Sequence, residues 1–321
     1  MDTFSHRFQE CLRNHDRAGL RMIPKADLHN HFVLGGSRSF LKEQTGADIL
    51  PLDHPLASMA EMDDWSRRFI GARFDSPAGR RLLIDATFVQ AAADGVTVLE
   101  IGEDVWGLNE FFGGDVGALT DAFEQARARY APHTELRLQI GLSRHCPIEA
   151  LEEWLRPFWG HPAFYSIDLY GDELAQPIDH FIPLYRRAEE EGLILKAHLG
   201  EWGTAQDVKE GAEKLHLHEI QHGIAAARDS AVMDFLREKN IRLHITPTSN
   251  RMLGRVPDLA HHPIAVLFRA GVPVTIGSDD ILPFDSDVSG EYLRLWESGC
   301  LTAGELDEIR CTGLSPRLTA G

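Results

Sequence analysis

Eight short, mostly apolar runs recur along the chain, and each ends at a glycine or a polar cluster. They are Lys25–His29, Val96–Gly102, Glu135–Leu142, Phe164–Tyr170, Leu193–His198, Glu219–His222, Ile241–Pro247 and Val272–Gly277. Their shortness and their bounding residues predict β-strands. Between them, apolar residues return every three or four positions, which predicts helices over Arg80–Asp94, Val116–Tyr130, Ile148–Phe158, Ile178–Glu191, Thr204–Lys214, Asp229–Lys239 and Pro263–Ala270, with a last helix at Asp287–Glu297. Strand–helix alternation of this kind predicts an α/β fold, and eight units predict a (β/α)8 TIM barrel. A doubly wound sheet alternates in the same way, but it does not bring the first and last strands together. Chemistry-bearing residues near both ends of the chain favour closure, so residues 1–321 are expected to form a single domain. The first connection, from about Phe32 to Gly95, is too long for one helix and predicts a helical insertion after the first strand. Within it, Glu61-Met62-Asp63-Asp64-Trp65 is a candidate lid or pocket wall, or simply an acid-rich helix start.

Composition narrows the function classes. With 32 basic and 49 acidic residues the formal charge is −17, a surface that repels nucleic acid. No apolar run approaches the ~18 residues of a membrane span. The charged start of the chain lacks the apolar stretch of a signal peptide. Cys11, Cys146, Cys300 and Cys311 have no CxxC spacing and are expected to be reduced residues of a cytoplasmic protein.

The candidate chemistry sits where strands end. His29 and His31 are two apart on the first strand and share a face. His198 closes the fifth strand, His222 the sixth, and Asp279-Asp280 follow the eighth. Residues at the C-terminal ends of barrel strands converge on one site. Two imidazoles from one strand, a third from another and a carboxylate from the last make a zinc-type donor set. His216/His218 and His261/His262 are expected to be accidental pairs. Glu201 is either a proton donor or the first acid of a helix. His222, beside Gly223, either orients a water or caps a helix. The adjacent carboxylates of Asp279 and Asp280 are costly unless one meets a metal and the other a substrate donor; a turn or a helix cap is the plainer alternative.

Six segments, in order along nearly the whole chain, resemble the motifs of the adenosine/AMP deaminase branch of the metal-dependent amidohydrolases. They are Pro24-Lys25-Ala26-Asp27-Leu28-His29-Asn30-His31, Ile167-Asp168-Leu169-Tyr170-Gly171-Asp172-Glu173, His198-Leu199-Gly200-Glu201, Ile220-Gln221-His222-Gly223, Thr246-Pro247-Thr248-Ser249-Asn250 and Ser278-Asp279-Asp280. The resemblance implies one Zn2+ per chain on His29, His31, His198 and Asp279. It implies hydrolytic deamination of a 6-aminopurine to the 6-oxo product and ammonia. Glu201 would protonate N1, His222 and Asp279 would position the attacking water, Asp280 would meet N7, the Gly171 backbone would approach N3, and His31 would also border the substrate. The family's second metal is not expected, because no lysine stands in Phe164–Tyr170 to bridge two ions.

Two departures bear on the substrate. After HxH the family carries an acid near the ribose end; here Phe32-Val33-Leu34-Gly35-Gly36-Ser37 supplies none, so a ribose 5′-hydroxyl loses its acceptor. Ile281 replaces the usual proline after the aspartate pair. Arg38, Arg73 and Arg144 are candidates to face a 5′ substituent; surface charges are the plainer reading of all three. The competing functional readings are an amidohydrolase of another substrate class using the same mononuclear site, and a non-catalytic purine-binding relative.

Overall fold

The computed structural model describes residues 3–56 and 59–316. Its centre is an eight-stranded sheet in sequential order: β1 Lys25–Asp27, β2 Val96–Asp104, β3 Glu135–Ser143, β4 Phe164–Tyr170, β5 Ile194–Leu199, β6 Glu219–His222, β7 Arg242–Ile245 and β8 Val274–Ile276. All seven neighbouring pairs from β1 to β8 are parallel. Helices surround the sheet, and the fold is a (β/α)8 barrel with a helical insertion after β1.

Closure between β8 and β1 happens at the catalytic end. A parallel bridge joins Asn30 to Asp279, and the Asp279 N–H donates to the His29 carbonyl at 2.8 Å. Gly277 makes this approach possible: a Cβ there would stand 2.9 Å from the His29 oxygen and 2.6 Å from its Cβ. Below the bridge, the helix Ala303–Leu314 packs on both β1 and β8 and covers the seam.

Several boundaries differ from the sequence expectation. β1 ends at Asp27, so His29 and His31 lie just past the strand, in the segment that bridges to Asp279. β2 runs two residues further than expected and carries Glu103 and Asp104 to the pocket. The expected helix at 178–191 is a 3-10 turn, Ile178–Phe181, followed by the helix Ile182–Glu190, whose first turn holds Pro183. The last helix is Ala303–Leu314, not Asp287–Glu297. Its start carries a capping box from Thr302 and Glu305, a signal present in the sequence.

The insertion contains the helices Arg38–Thr45, Met59–Phe69, Gly71–Phe74 and Pro77–Ala93. It is tied across the barrel mouth by Leu52 N–H to the Pro283 carbonyl at 2.8 Å and Leu56 N–H to the Met252 carbonyl at 2.7 Å. Leu56, Met62, Met252 and Phe284 form a small apolar cluster there. Among the described residues, no helix is long and apolar enough to cross a membrane.

Candidate active site

The predicted site residues converge at the C-terminal mouth of the barrel. A cavity of about 850 Å³ is lined by His31, His198, His222, Glu201, Asp279, Asp280 and Gly171, among others. His29 lies directly beneath, with only 1% of its surface exposed.

Second partners orient the imidazoles. His29 Nδ1 lies 2.9 Å from the His244 carbonyl, so Nδ1 carries the hydrogen and Nε2 presents its lone pair. That Nε2 is buried and has no partner. His198 Nδ1 faces the buried Asp168 carboxylate at 3.3 Å, which directs its Nε2 inward. His198 Nε2 and His31 Nε2 are 3.3 Å apart. His31 Nε2 lies 3.5 Å and His29 Nε2 3.9 Å from Asp279 Oδ1. Donors bound tetrahedrally at zinc-like lengths stand ~3.3 Å from one another, so these residues fit a single divalent cation. His29, His31 and Asp279 form one compact triplet; His29, His198 and His222 form another.

The electrostatics agree with that fit. Burial, reinforced by the neighbouring imidazoles, pulls His29 and His222 well below the ordinary histidine range, which keeps them neutral. Burial also lowers His31. It works against a charged His198 too, but Asp168 outweighs it and the net direction is upward. Imidazoles held neutral are what a metal needs, so His29 and His31 suit it as they stand, while His198 must give up its proton to bind.

The proton-handling groups stand alongside. Burial, then the charge of Asp279, pushes Glu201 up to about 8. Glu201 lies 3.6 Å from His222 Nδ1, and Asn250 Nδ2 reaches both, at 3.4 Å and 3.1 Å. Thr246 Oγ1 bridges His222 Nδ1 at 3.1 Å and Asp279 Oδ2 at 3.2 Å. His222 therefore belongs to this polar web; the helix-capping alternative does not hold. Asp280 is raised well above the carboxylate range by burial, then by Asp279 and Glu201. Its Oδ1 is buried without a partner, at the edge of the cavity. His222 and Asp279 have backbone φ of 63° and 58°. A left-handed backbone is uncommon away from glycine, and such strain gathers at functional sites.

The 5′ side departs from expectation. Val33 and Leu34 line the cavity, but Gly35 faces away, against the Asn30 side chain. None of the three proposed arginines is among the cavity-lining residues. Arg38 pairs with Asp285 at 2.8 Å, Arg144 bonds the Gln176 carbonyl, and Arg73 is exposed. The arginine in the cavity wall is Arg80, which grips Glu103 through Nε and Nη2. Beside it, Asp104 accepts from Ser143 Oγ and the Trp106 N–H and contacts Tyr170. Tyr170 in turn stands edge-on to His31 with centroids 5.4 Å apart. Sequence reading missed this cluster; two acids at the C-terminal end of a strand were the available signal. From the insertion, Met62, Asp63 and Ser66 line the same cavity, so the helix Met59–Phe69 is a pocket wall.

Comparisons with known proteins identify the family. The adenosine deaminase family profile matches residues 79–316. An adenosine/adenine deaminase assigned in Treponema pallidum is 32% identical over 282 residues, covering 88% of this chain and 94% of that one. The aminodeoxyfutalosine deaminase of Streptomyces coelicolor is 36% identical, over 84% of this chain and 73% of its own. The crystal structure of an adenine deaminase from Arthrobacter aurescens has the same fold, with a TM-score of 0.70 at 23% identity, over 91% of this chain and 92% of that one. The chain belongs to the adenosine deaminase family and is an aminohydrolase of the adenosine/adenine deaminase kind.

Proposed function

We propose that this single-domain enzyme binds one zinc ion on His29, His31, His198 and Asp279 and hydrolytically deaminates a 6-aminopurine nucleoside or base. The observation that carries the reading is the convergence of His29, His31, His198 and Asp279, with His31 Nε2 3.3 Å from His198 Nε2 and 3.5 Å from Asp279 Oδ1, beside a carboxyl held up to about 8. A bound zinc ion supplies Lewis acidity toward water. The remaining work falls to the chain. Glu201, protonated at neutral pH, donates to N1 and makes C6 electrophilic. His222 and Asp279 hold the attacking water on the face of C6. Asp280, its carboxyl raised by burial and by Asp279 and Glu201, meets N7 with the oxygen that has no protein partner. The Gly171 backbone, at φ 90°, offers its N–H at the N3 edge, and the ring of His31 borders the substrate.

The cavity also speaks to the far end of the substrate. Val33, Leu34, Met62, Leu253 and Phe284 give an apolar wall, while Asp63, Glu103, Asp104 and Asp172 are acidic. Arg80, the cavity's arginine, is committed to Glu103. A dianionic 5′-phosphate meets repulsion there, so neutral nucleosides or the free base are favoured over nucleotides. The test is a screen of adenine, adenosine, 5′-modified adenosines, AMP and N6-substituted purines for ammonia release and loss of absorbance at the adenine band. Release from none of these by the zinc-loaded protein overturns the reading. AMP as the best substrate overturns the charge argument alone.

A further inference from the structure

Glu173, at the end of the motif after β4, has no role in the chemistry above. Yet the Glu173 carboxylate accepts four successive backbone N–H groups: Gly200 at 2.5 Å, Glu201 at 3.1 Å, Trp202 at 2.7 Å and Gly203 at 3.1 Å. Glu173 is only 4% exposed. Residues 200–203 belong to neither helix nor strand, so without it these donors would lose their partner at a largely buried bend. Successive N–H groups curled around an anion make a nest, and charge-assisted bonds of this kind are stronger than neutral ones. The bend is shaped for the carboxylate. Gly200 has φ 70°, and a Cβ on Gly203 would stand 2.6 Å from Glu173 Oε1.

We infer that Glu173 is a positioning residue that fixes the spacing between Glu201 and the Gly171 backbone along one edge of the purine. This rests on the proposed reading, in which Glu201 meets N1 and Gly171 meets N3. Those two nitrogens flank a single carbon on the six-membered ring, so their protein partners must keep a fixed separation. The partners come from different strands: Gly171 follows β4 and Glu201 follows β5. Glu173 is two residues beyond Gly171 and holds the N–H of Glu201 itself. It therefore joins the two loops at the point where their spacing matters, and a misplacement of about 1 Å in such a group can cost ~10²-fold in rate.

The test compares adenosine with 3-deazaadenosine, which lacks the N3 acceptor, on zinc-loaded wild type and Glu173→Gln. The glutamine keeps the shape but turns an NH2 group toward the donors. Wild type is expected to prefer adenosine by at least ~10-fold in kcat/KM, because a site built to hydrogen-bond a group rejects the analogue lacking it. In Glu173→Gln, kcat for adenosine is expected to fall ~30-fold or more with KM changed less, and the preference to shrink to within ~3-fold. Zinc content is expected to stay at one per chain. A variant that is merely less stable would keep the wild-type preference in its folded fraction; that result overturns the inference while leaving the proposed function standing. A wild type without preference overturns the N3 contact and the inference with it. If Glu173→Gln does not fold, Gly203→Ala presses on the same carboxylate and carries the same expectations.

Discussion

Two layers of the barrel bury charged groups, and they treat them differently. Beneath the site, Glu219 is paired with Arg242 and lies 2.8 Å from His244 Nε2. Lys196 Nζ reaches Glu100 and the Leu28 carbonyl, both at 3.0 Å, and Ser166 donates to the same Glu100. Burial alone would raise Glu219, but His244, Arg242 and Lys196 outweigh it and hold it well below the usual range. At the mouth, the same kinds of residue are left incomplete: His29 Nε2 and Asp280 Oδ1 have no partner, and Glu201 is held up to about 8. The lower layer is not perfect, since Glu100 Oε2 and Gln221 Oε1 also lack partners. Its charges nevertheless cancel locally. The lower layer is held by completed charge pairs, whereas in the proposed function a cation and a substrate would complete the groups at the mouth.

The sharpest way to break this contrast is to mutate either side of Ala197 on β5. His198→Ala removes an upper-layer donor and should abolish activity and zinc binding together, with little loss of fold. Metal analysis and a thermal melt check this; retention of a full zinc complement would remove His198 from the donor set. Glu201→Gln is next. It keeps zinc and fold but cannot deliver a proton, so kcat should fall at least ~10²-fold. Activity within a few fold of wild type would show that N1 protonation has another source. Lys196→Met, in the lower layer, should do the reverse. It leaves Glu100 and Glu219 short of a cation and should cost about 3–5 kcal/mol of stability, while the folded fraction keeps its zinc and most of its kcat. Denaturant unfolding and metal content measure the two effects separately.

The contrast also explains what was legible in the sequence. The upper layer announces itself, because metal ligands and acids follow strands in short motifs. The strand rhythm, and the histidines and acids that converge at the mouth, were readable for that reason. The lower layer is spread over single residues such as Glu100, Lys196, Glu219 and His244, and only the closed barrel brings them together. Arg80 was hidden in the same way, inside a helix with no motif around it. Neither Arg38, Arg73 nor Arg144 is the arginine that lines the cavity. The helix Ala303–Leu314 escaped because two glycines and scattered charges blur its apolar stripe, although its capping box was visible.

Asp104, in the cavity wall, gives a smaller test. Burial raises it to about 6, despite the hydrogen bond from Ser143. In the unfolded chain its carboxyl titrates near 3.8. Between those values the native state holds the extra proton. The contribution to stability is thus full at low pH and lost as pH rises through about 6. Asn cannot titrate. Relative to Asp104→Asn, the wild type should lose about 1 kcal/mol between about pH 5 and pH 8. A constant difference across that range would show that Asp104 is ionised throughout.

The smallest expected effect concerns the proposed substrate's 5′ end, where the segment after His31 gives the cavity apolar side chains and the acids come from other segments. Leu34 and Val33 stand there with Met62, Leu253 and Phe284. A wall of this kind cannot reward a hydroxyl strongly, because the large penalties arise only where a buried polar group is left unpaired. Adenosine and 5′-deoxyadenosine should therefore lie within about 10-fold of each other in kcat/KM, with the deoxy compound equal or better. Leu34→Asp, which returns an acceptor to that wall, should tilt the ratio toward adenosine without changing zinc content. If wild type already prefers adenosine by ~10³ or more, a polar group meets the 5′-hydroxyl. The acids at Asp63 and Asp172, on the cavity wall, would then be the first places to look.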